Sequence, residues 1–145
     1  MKFSYPVLAM ALLAMCGGGC VSPRFDRAWQ AAETRGTPQR WVGRWDSQGG
    51  GAGGRLRALI SVPVGGFVDA MFEARWHGFT TAYPVKLEAT LHGDSFEING
   101  QHVLKSCIGG GTYTYKGTLA RDAFSAKYSS KYDNGTFQLA PLAPQ

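Results

Sequence analysis

The chain has 145 residues, which is enough for one domain built around a single hydrophobic core. Its 15 Lys and Arg residues against 10 Asp and Glu give a formal net charge of +5, and its three cysteines are too few for a disulfide framework. The sequence contains no paired carboxylates, Gly-x-Ser-x-Gly elbow or phosphate-binding loop. We therefore predict a protein that is not an enzyme and needs no cofactor.

Residues 1–20 predict export. Lys2 supplies a positive start, and Val7–Met15 is an apolar run, shorter than the about 20 residues that a membrane-spanning helix needs. The small residues 17–19 then lead into Cys20. This order resembles the signal peptide of bacterial lipoproteins, in which the cysteine is lipidated and becomes the first mature residue. The resemblance implies lipidation at Cys20 and an exported protein anchored to a membrane of the cell envelope, on its periplasmic or outer-membrane side.

The sequence leaves open alternatives to a lipid anchor at Cys20. Gly17 stands where the lipoprotein motif favours Leu, and Cys16 has that Leu but a bulky Met directly before it. Ordinary secretion or a retained anchor is therefore open, and simple secretion would allow a disulfide between Cys20 and Cys107. With Cys20 lipidated, Cys107 is expected to be a small buried hydrophobe. An exported chain without a recognised nucleic-acid-binding module is not expected to bind nucleic acid.

Residues 22–34 predict one short amphipathic helix. Ser22 can cap it, Pro23 suits the first helical position, and Gly36 begins the segment that ends it. Its apolar residues fall at helical spacing on a single stripe, formed by Phe25, Ala28, Trp29 and Ala32.

From Trp41 onward the apolar period changes to two, with turn signals every about 8–14 residues. Strands are predicted at 41–47, 55–62, 67–76, 79–91, 95–99, 101–107, 112–119, 123–129 and 135–140. Pro84 marks an edge or a bend, and Asn99-Gly100 a tight turn. Short connections predict an all-β antiparallel meander of eight or nine strands, closed or partly open as a small barrel. We divide the chain into a signal peptide (1–19), a lipidated cysteine with helix and linker (20–40) and a β domain (41–141).

The first strand carries the pattern Gly43-x-Trp45 soon after the helix. This layout resembles the entry of lipocalin-type barrels, in which the tryptophan packs across the closed end and the helix plugs it. The resemblance implies that Trp45 packs at a barrel end together with Phe25 and Trp29. The alternative is that Gly43 lets the strand bend and that Trp45 is an ordinary core residue.

A second resemblance spans most of the mature chain. Its features are the helix sequence 25–29, the Gly-x-Trp pattern, Gly-x-Leu-Arg at 54–57, Tyr-x-Tyr-x-Gly at 113–117 and the segment 128–137. Together they are similar to small uncharacterised bacterial lipoproteins or secreted proteins of one all-β domain. This likeness implies the all-β fold and an exported protein, and it implies no activity.

Aromatic residues on the inward faces are the candidate ligand-lining residues, because aromatic walls with a few hydroxyls suit a small apolar or amphipathic ligand. They are Phe72, Trp76, Tyr83, Tyr113, Tyr115, Phe124 and Tyr128. The alternative is that these rings fill a solid core, and that the protein contacts an envelope protein partner through its outer face or edge strands. Because His77, His92, His102 and Cys107 lack the spacing of recognised zinc sites, we predict no metal and no catalytic residue.

Overall fold

The computed structural model describes residues 23–49, 51–77, 79–103 and 111–143. Cys20 and Cys107 lie outside these residues, and so do the predictions of a signal peptide, of lipidation and of a disulfide or a buried thiol. The fold below therefore concerns the helix and the β domain.

The described chain forms one helix followed by eight strands. The elements are α1 (Pro23–Arg35), β1 (Gln39–Ser47), β2 (Gly53–Ile60), β3 (Phe67–Trp76), β4 (Phe79–His92), β5 (Ser95–Val103), β6 (Thr112–Leu119), β7 (Phe124–Ser129) and β8 (Asn134–Pro141). The predicted helix and the predicted all-β class are confirmed.

Each strand pairs antiparallel with the next, and β8 pairs back with β1, so the sheet closes into a barrel. The predicted meander is confirmed, and its closed form is the one observed. The β1–β2, β3–β4, β5–β6 and β7–β8 connections lie at one end, which we call the β1–β2 end. The β2–β3, β4–β5 and β6–β7 connections lie at the other, which we call the β2–β3 end.

The prediction of a turn at Asn99-Gly100 is wrong, because both residues lie inside β5. Asn99 pairs with Glu88 on one side and with Lys116 on the other. A side chain at Gly100 would place its Cβ 2.5 Å from Cδ2 of Leu87. Gly100 therefore leaves room for the Leu87 side chain within the strand and does not form a turn. Because β5 continues through Gly100, the barrel has eight strands.

The barrel interior holds the main hydrophobic core. Every strand contributes side chains at alternate positions, as the period-two pattern predicts. Period-two alternation in the predicted strands 55–62 and 79–91 places Val62 and Leu91 on the inward face, but they are 72% and 61% exposed. The cause is their position: β2 ends at Ile60, and Leu91 lies beside the end of β4.

Helix α1 packs against the outer wall of the barrel. Leu59 lies between Ala58 and Ile60, which both face the barrel core, so its side chain points outward. Phe25 and Ala32 are buried against Leu59 in a cluster separate from the barrel core. The expectation that the helix plugs a barrel end is therefore wrong.

Arg57 on β2 connects the helix to this outer wall. Its Nε donates to Oε1 of Glu73 at 2.7 Å, and a terminal nitrogen donates to Oδ1 of Asp26 at 2.9 Å. The guanidinium also lies 5.1 Å from the ring centroid of Phe25 and 4.9 Å from that of Trp29. Because Glu73 is only 5% exposed, the helix seals a buried ion pair as well as an apolar patch.

The described pairing of β4 with β5 covers Leu87–His92 of β4. The backbone N–H of Ala89 donates to the carbonyl oxygen of Gly66 and therefore points toward β3. The β3–β4 register has no bulge, so backbone N–H groups along β4 point alternately toward β3 and toward β5. By alternation, Pro84 directs its nitrogen, which has no hydrogen, toward β5. Among the described residues, pairing between β4 and β5 stops at Leu87 and Gly100. We call the part of the wall between this pair and the β1–β2 end the β4–β5 seam.

Candidate functional site

Four tyrosines project into the barrel near its β1–β2 end, and we call them the tyrosine cluster. Tyr83 comes from β4, Tyr113 and Tyr115 from β6, and Tyr128 from β7. Tyr115 and Tyr128 are buried, whereas Tyr83 and Tyr113 are partly buried. The strand period of two places all four on inward positions, so a single barrel end receives four phenol groups.

The tyrosine hydroxyls form hydrogen bonds with each other and with one carboxylate. Tyr115 Oη donates to Tyr83 Oη at 3.3 Å, and Tyr128 Oη donates to Asp133 Oδ2 at 3.0 Å. Ser47 Oγ donates to the other carboxylate oxygen, Oδ1 of Asp133, at 2.6 Å. Asp133 thus links the end of β1 to β7 and gives this end of the barrel a fixed negative charge.

His102 on β5 stacks on Tyr83 on β4, with ring centroids 5.2 Å apart and planes at 19°. The contact crosses the β4–β5 seam, beyond the last described backbone pair of Leu87 with Gly100. Burial lowers the pKa of His102, which favours the neutral imidazole at pH 7. A neutral imidazole can both donate and accept a hydrogen bond.

Phe72 fills the middle of the barrel beneath the tyrosine cluster. It is fully buried, and its ring centroid lies within 6.2 Å of those of four other residues. These neighbours are Tyr83, Tyr115, Phe124 and Phe137. The contacts fill the centre of the barrel with aromatic rings, so a ligand inside the barrel would have to lie toward one of its ends.

Six of the predicted lining residues have described side chains, and all six belong to the barrel core or pack against it: Phe72, Tyr83, Tyr113, Tyr115, Phe124 and Tyr128. The side chain of Trp76 falls outside what the structure describes. Sequence reasoning missed Phe137, His102, Ser47 and Asp133. Period-two alternation was a usable signal for Phe137 and His102, whereas nothing local indicates that Ser47 and Asp133 meet.

Trp45 is also a core residue near this end. It is 3% exposed, and its Nε1 donates to Arg75 O at 3.1 Å. Phe25 and Trp29 lie instead in the helix cluster on the outer wall. The structure therefore does not bring together the three residues that were expected to pack at one barrel end.

Two cavities lie elsewhere. One, of about 780 Å³, is a groove between the end of α1 and the outer wall, beside Arg40 and Met71. The other, of about 850 Å³, opens at the β2–β3 end beside Trp41 and Phe96. Both have the size of small-molecule sites.

Within the residues that the structure describes, no three His, Cys, Asp or Glu side chains come together as a metal site requires. The same residues include no helix with the length and apolar character needed to cross a bilayer. Comparison of the chain with protein-family models, curated proteins and solved structures finds no significant match.

The burial of the tyrosine cluster leads to a prediction about the pH at which its phenols ionise. Burial raises the pKa of Tyr115 to about 12, and it also raises the pKa values of Tyr83 and Tyr128, with Asp133 adding to the shift at Tyr128. We expect these three phenols to stay protonated in the native protein at pH 11, where unfolded tyrosines, with pKa about 10, ionise. Ultraviolet difference spectra at pH 11 should therefore show about three fewer tyrosinates in the native protein than in the protein unfolded in guanidinium chloride.

The sign of the stability change follows from proton uptake. Above pH 10 the folded state holds more protons than the unfolded state, so stability falls as pH rises from about 10 through about 12. Far-UV circular dichroism at pH 11 serves as the folding control. Equal native and unfolded tyrosinate counts in a folded sample would contradict the burial of the cluster.

Proposed function

We propose that this protein is a non-enzymatic lipoprotein of the bacterial cell envelope whose barrel binds a small amphipathic ligand at the β1–β2 end. The observation that carries the proposal is the tyrosine cluster, where phenol hydroxyls, an imidazole and aromatic walls meet at one end of the interior. An amphipathic ligand needs both kinds of surface at once: rings for its apolar part and hydroxyls for its polar part.

The β4–β5 seam supports a route for the ligand. Tyr83 and His102 are joined across the seam by ring stacking, and the described pairing of β4 with β5 has ended before it reaches either residue. Separating two stacked rings costs less than breaking a strand ladder, whose every hydrogen bond contributes about 1 kcal/mol. This part of the wall is therefore the easiest part to open.

The proposed anchor brings the barrel close to the bilayer. Helix α1 begins at Pro23, and the step from Cys20 is at most about 11 Å of extended chain. Acyl chains on Cys20 supply the membrane affinity, at about 0.8 kcal/mol per buried CH₂. A barrel held at this distance is placed to take up an amphipathic molecule from the membrane surface.

A structural or protein-interaction domain is the second candidate. It is favoured by the ring contacts around Phe72, which give the barrel a solid centre. It is also favoured by exposed apolar side chains near the β2–β3 end, where Val64 is 75%, Phe67 42% and Leu91 61% exposed. In this alternative, an envelope protein covers that surface.

Native mass spectrometry of protein extracted from its own membrane tests the proposal. We expect the mass of acyl chains on the mature chain together with a retained small molecule. Cys20→Ser should lose the acyl mass and leave the membrane fraction, because the acyl chains supply the affinity. Tyr83→Phe should keep the acyl mass and lose most of the retained molecule, because it removes the hydroxyl that accepts from Tyr115.

Each result separates the candidates. An acylated chain that carries no small molecule contradicts ligand binding and favours the interaction domain. Unchanged membrane fractionation of a normally processed Cys20→Ser variant contradicts lipidation at this residue. Tyr132→Phe is the matched control for Tyr83→Phe, because Tyr132 is 56% exposed and lies outside the barrel core, so this variant should retain the ligand.

A further inference from the structure

Trp41 has a polar atom that the fold leaves unsatisfied. The residue is 2% exposed and belongs to the barrel core, yet its Nε1 has no hydrogen-bond partner among the described residues. Most buried side-chain donors in folded proteins have a hydrogen-bond acceptor, and a buried donor without one lowers the stability of the fold. Trp45, on the same face of β1, shows the ordinary arrangement, since its Nε1 donates to Arg75 O.

Trp41 also lines the cavity of about 850 Å³ at the β2–β3 end. The cavity lies at the opposite end of the barrel from the tyrosine cluster. Its apolar wall is made by residues of five strands and the tail after β8: Ile60, Phe96, Leu119, Pro141 and Leu142 join Trp41. A buried donor in an apolar wall is the pattern by which a pocket orients a largely apolar ligand.

We propose that this cavity is a second binding site, for a neutral and largely apolar molecule that carries a carbonyl oxygen. The oxygen accepts the hydrogen bond of Trp41 Nε1, and the apolar body packs against Ile60, Phe96 and Leu119. This site is independent of the ligand site proposed at the tyrosine end.

The charges around the cavity favour a neutral ligand. Arg121 lies at its edge with Asp94 and Asp122, and this excess of one negative charge disfavours an anionic ligand. A ligand carboxylate would also lose its hydration on reaching the buried indole, whereas a carbonyl loses far less. Because Nε1 is closed to solvent, the proposal requires the cavity wall to move before a ligand can reach it.

The test uses two probes of nearly the same shape, 2-octanone and 2-methyl-1-octene, in which C=CH₂ replaces C=O. Each is titrated into the purified protein, and the indole N–H signals of its four tryptophans are followed by ¹H–¹⁵N NMR. We expect the ketone to move the Trp41 signal downfield to saturation. It should bind about tenfold more tightly than the alkene, the ratio that about 1.4 kcal/mol produces.

Two variants complete the test. Trp41→Phe should bind ketone and alkene equally, whereas Trp45→Phe, which removes an indole already bonded to Arg75 O, should keep the preference. Tyr83→Phe should also keep it, which separates this site from the tyrosine cluster. Equal binding of both probes to the unmodified protein, no binding, or a ketone shift at another indole would overturn the proposal. If Trp41→Phe does not fold, the probe ratio and the Trp41 shift of the unmodified protein decide.

Discussion

Phe72→Ala is expected to lower the free energy of unfolding by about 3–5 kcal/mol, the range for a buried aromatic truncation. Phe72 is fully buried, and its ring touches rings from β4, β6, β7 and β8. Removing it leaves a cavity that backbones joined in a closed barrel cannot collapse to fill. Since domains are stable by only about 5–15 kcal/mol, the variant should be marginally folded. Urea unfolding followed by tryptophan fluorescence gives the measurement.

Val64→Ala is the control, because Val64 is 75% exposed and its truncation should change stability by less than about 0.5 kcal/mol. Phe72→Leu should fall between the two, since it keeps part of the volume. A loss below about 1 kcal/mol for Phe72→Ala would show that the centre of the barrel is not tightly packed. That result would favour an interior with room for a ligand at its middle.

The eight-strand barrel was predictable because its strands obey period two almost without exception. Val68, Ala70 and Phe72 on β3 are buried, and Asp69 between them is exposed, as the sequence pattern requires. The short connections then allow few arrangements other than a meander. Closure follows because an open sheet of this size leaves two unpaired edges.

The position of the helix was not predictable from its own sequence. The stripe of Phe25 and Trp29 shows which helix face is buried, but it does not show which surface covers that face. The information lay in the strands instead. Leu59 and Met71 are apolar residues at outward positions of β2 and β3, and they form the patch that the helix covers.

The candidate site was only partly predictable for a similar reason. Alternation identifies the inward tyrosines one strand at a time, so the tyrosine cluster follows once the strands close. The contact of Ser47 with Asp133 joins residues 86 positions apart, at the end of β1 and in the β7–β8 connection, where no periodic pattern relates them. The misassigned turn in β5 has a different origin, because Asn-Gly is a local signal that pairing with strands on both sides overrides.

Gly43→Ala is expected to have the other large effect, because Gly43 lies where the barrel closes. It pairs with Leu139 of β8, and a Cβ at this position would fall on the carbonyl oxygen of Gln138, well inside contact distance. A backbone oxygen held in the β1–β8 ladder cannot move aside as a flexible side chain would. The strain should exceed ordinary overpacking and lower the free energy of unfolding by about 3 kcal/mol or more.

Gly49→Ala is the matched control for this closure. Gly49 lies in the β1–β2 connection with nothing within 4 Å of the added Cβ, so the same methyl group should be tolerated there. Thermal unfolding of both variants gives the comparison, and amide hydrogen exchange along β1 and β8 locates the damage. Loss of protection confined to these two strands is expected, since the other pairings remain.

A Gly43→Ala protein as stable as Gly49→Ala would show that β1 and β8 approach less closely than a closed ladder requires. The glycine would then serve the bend of β1 rather than the closure of the barrel.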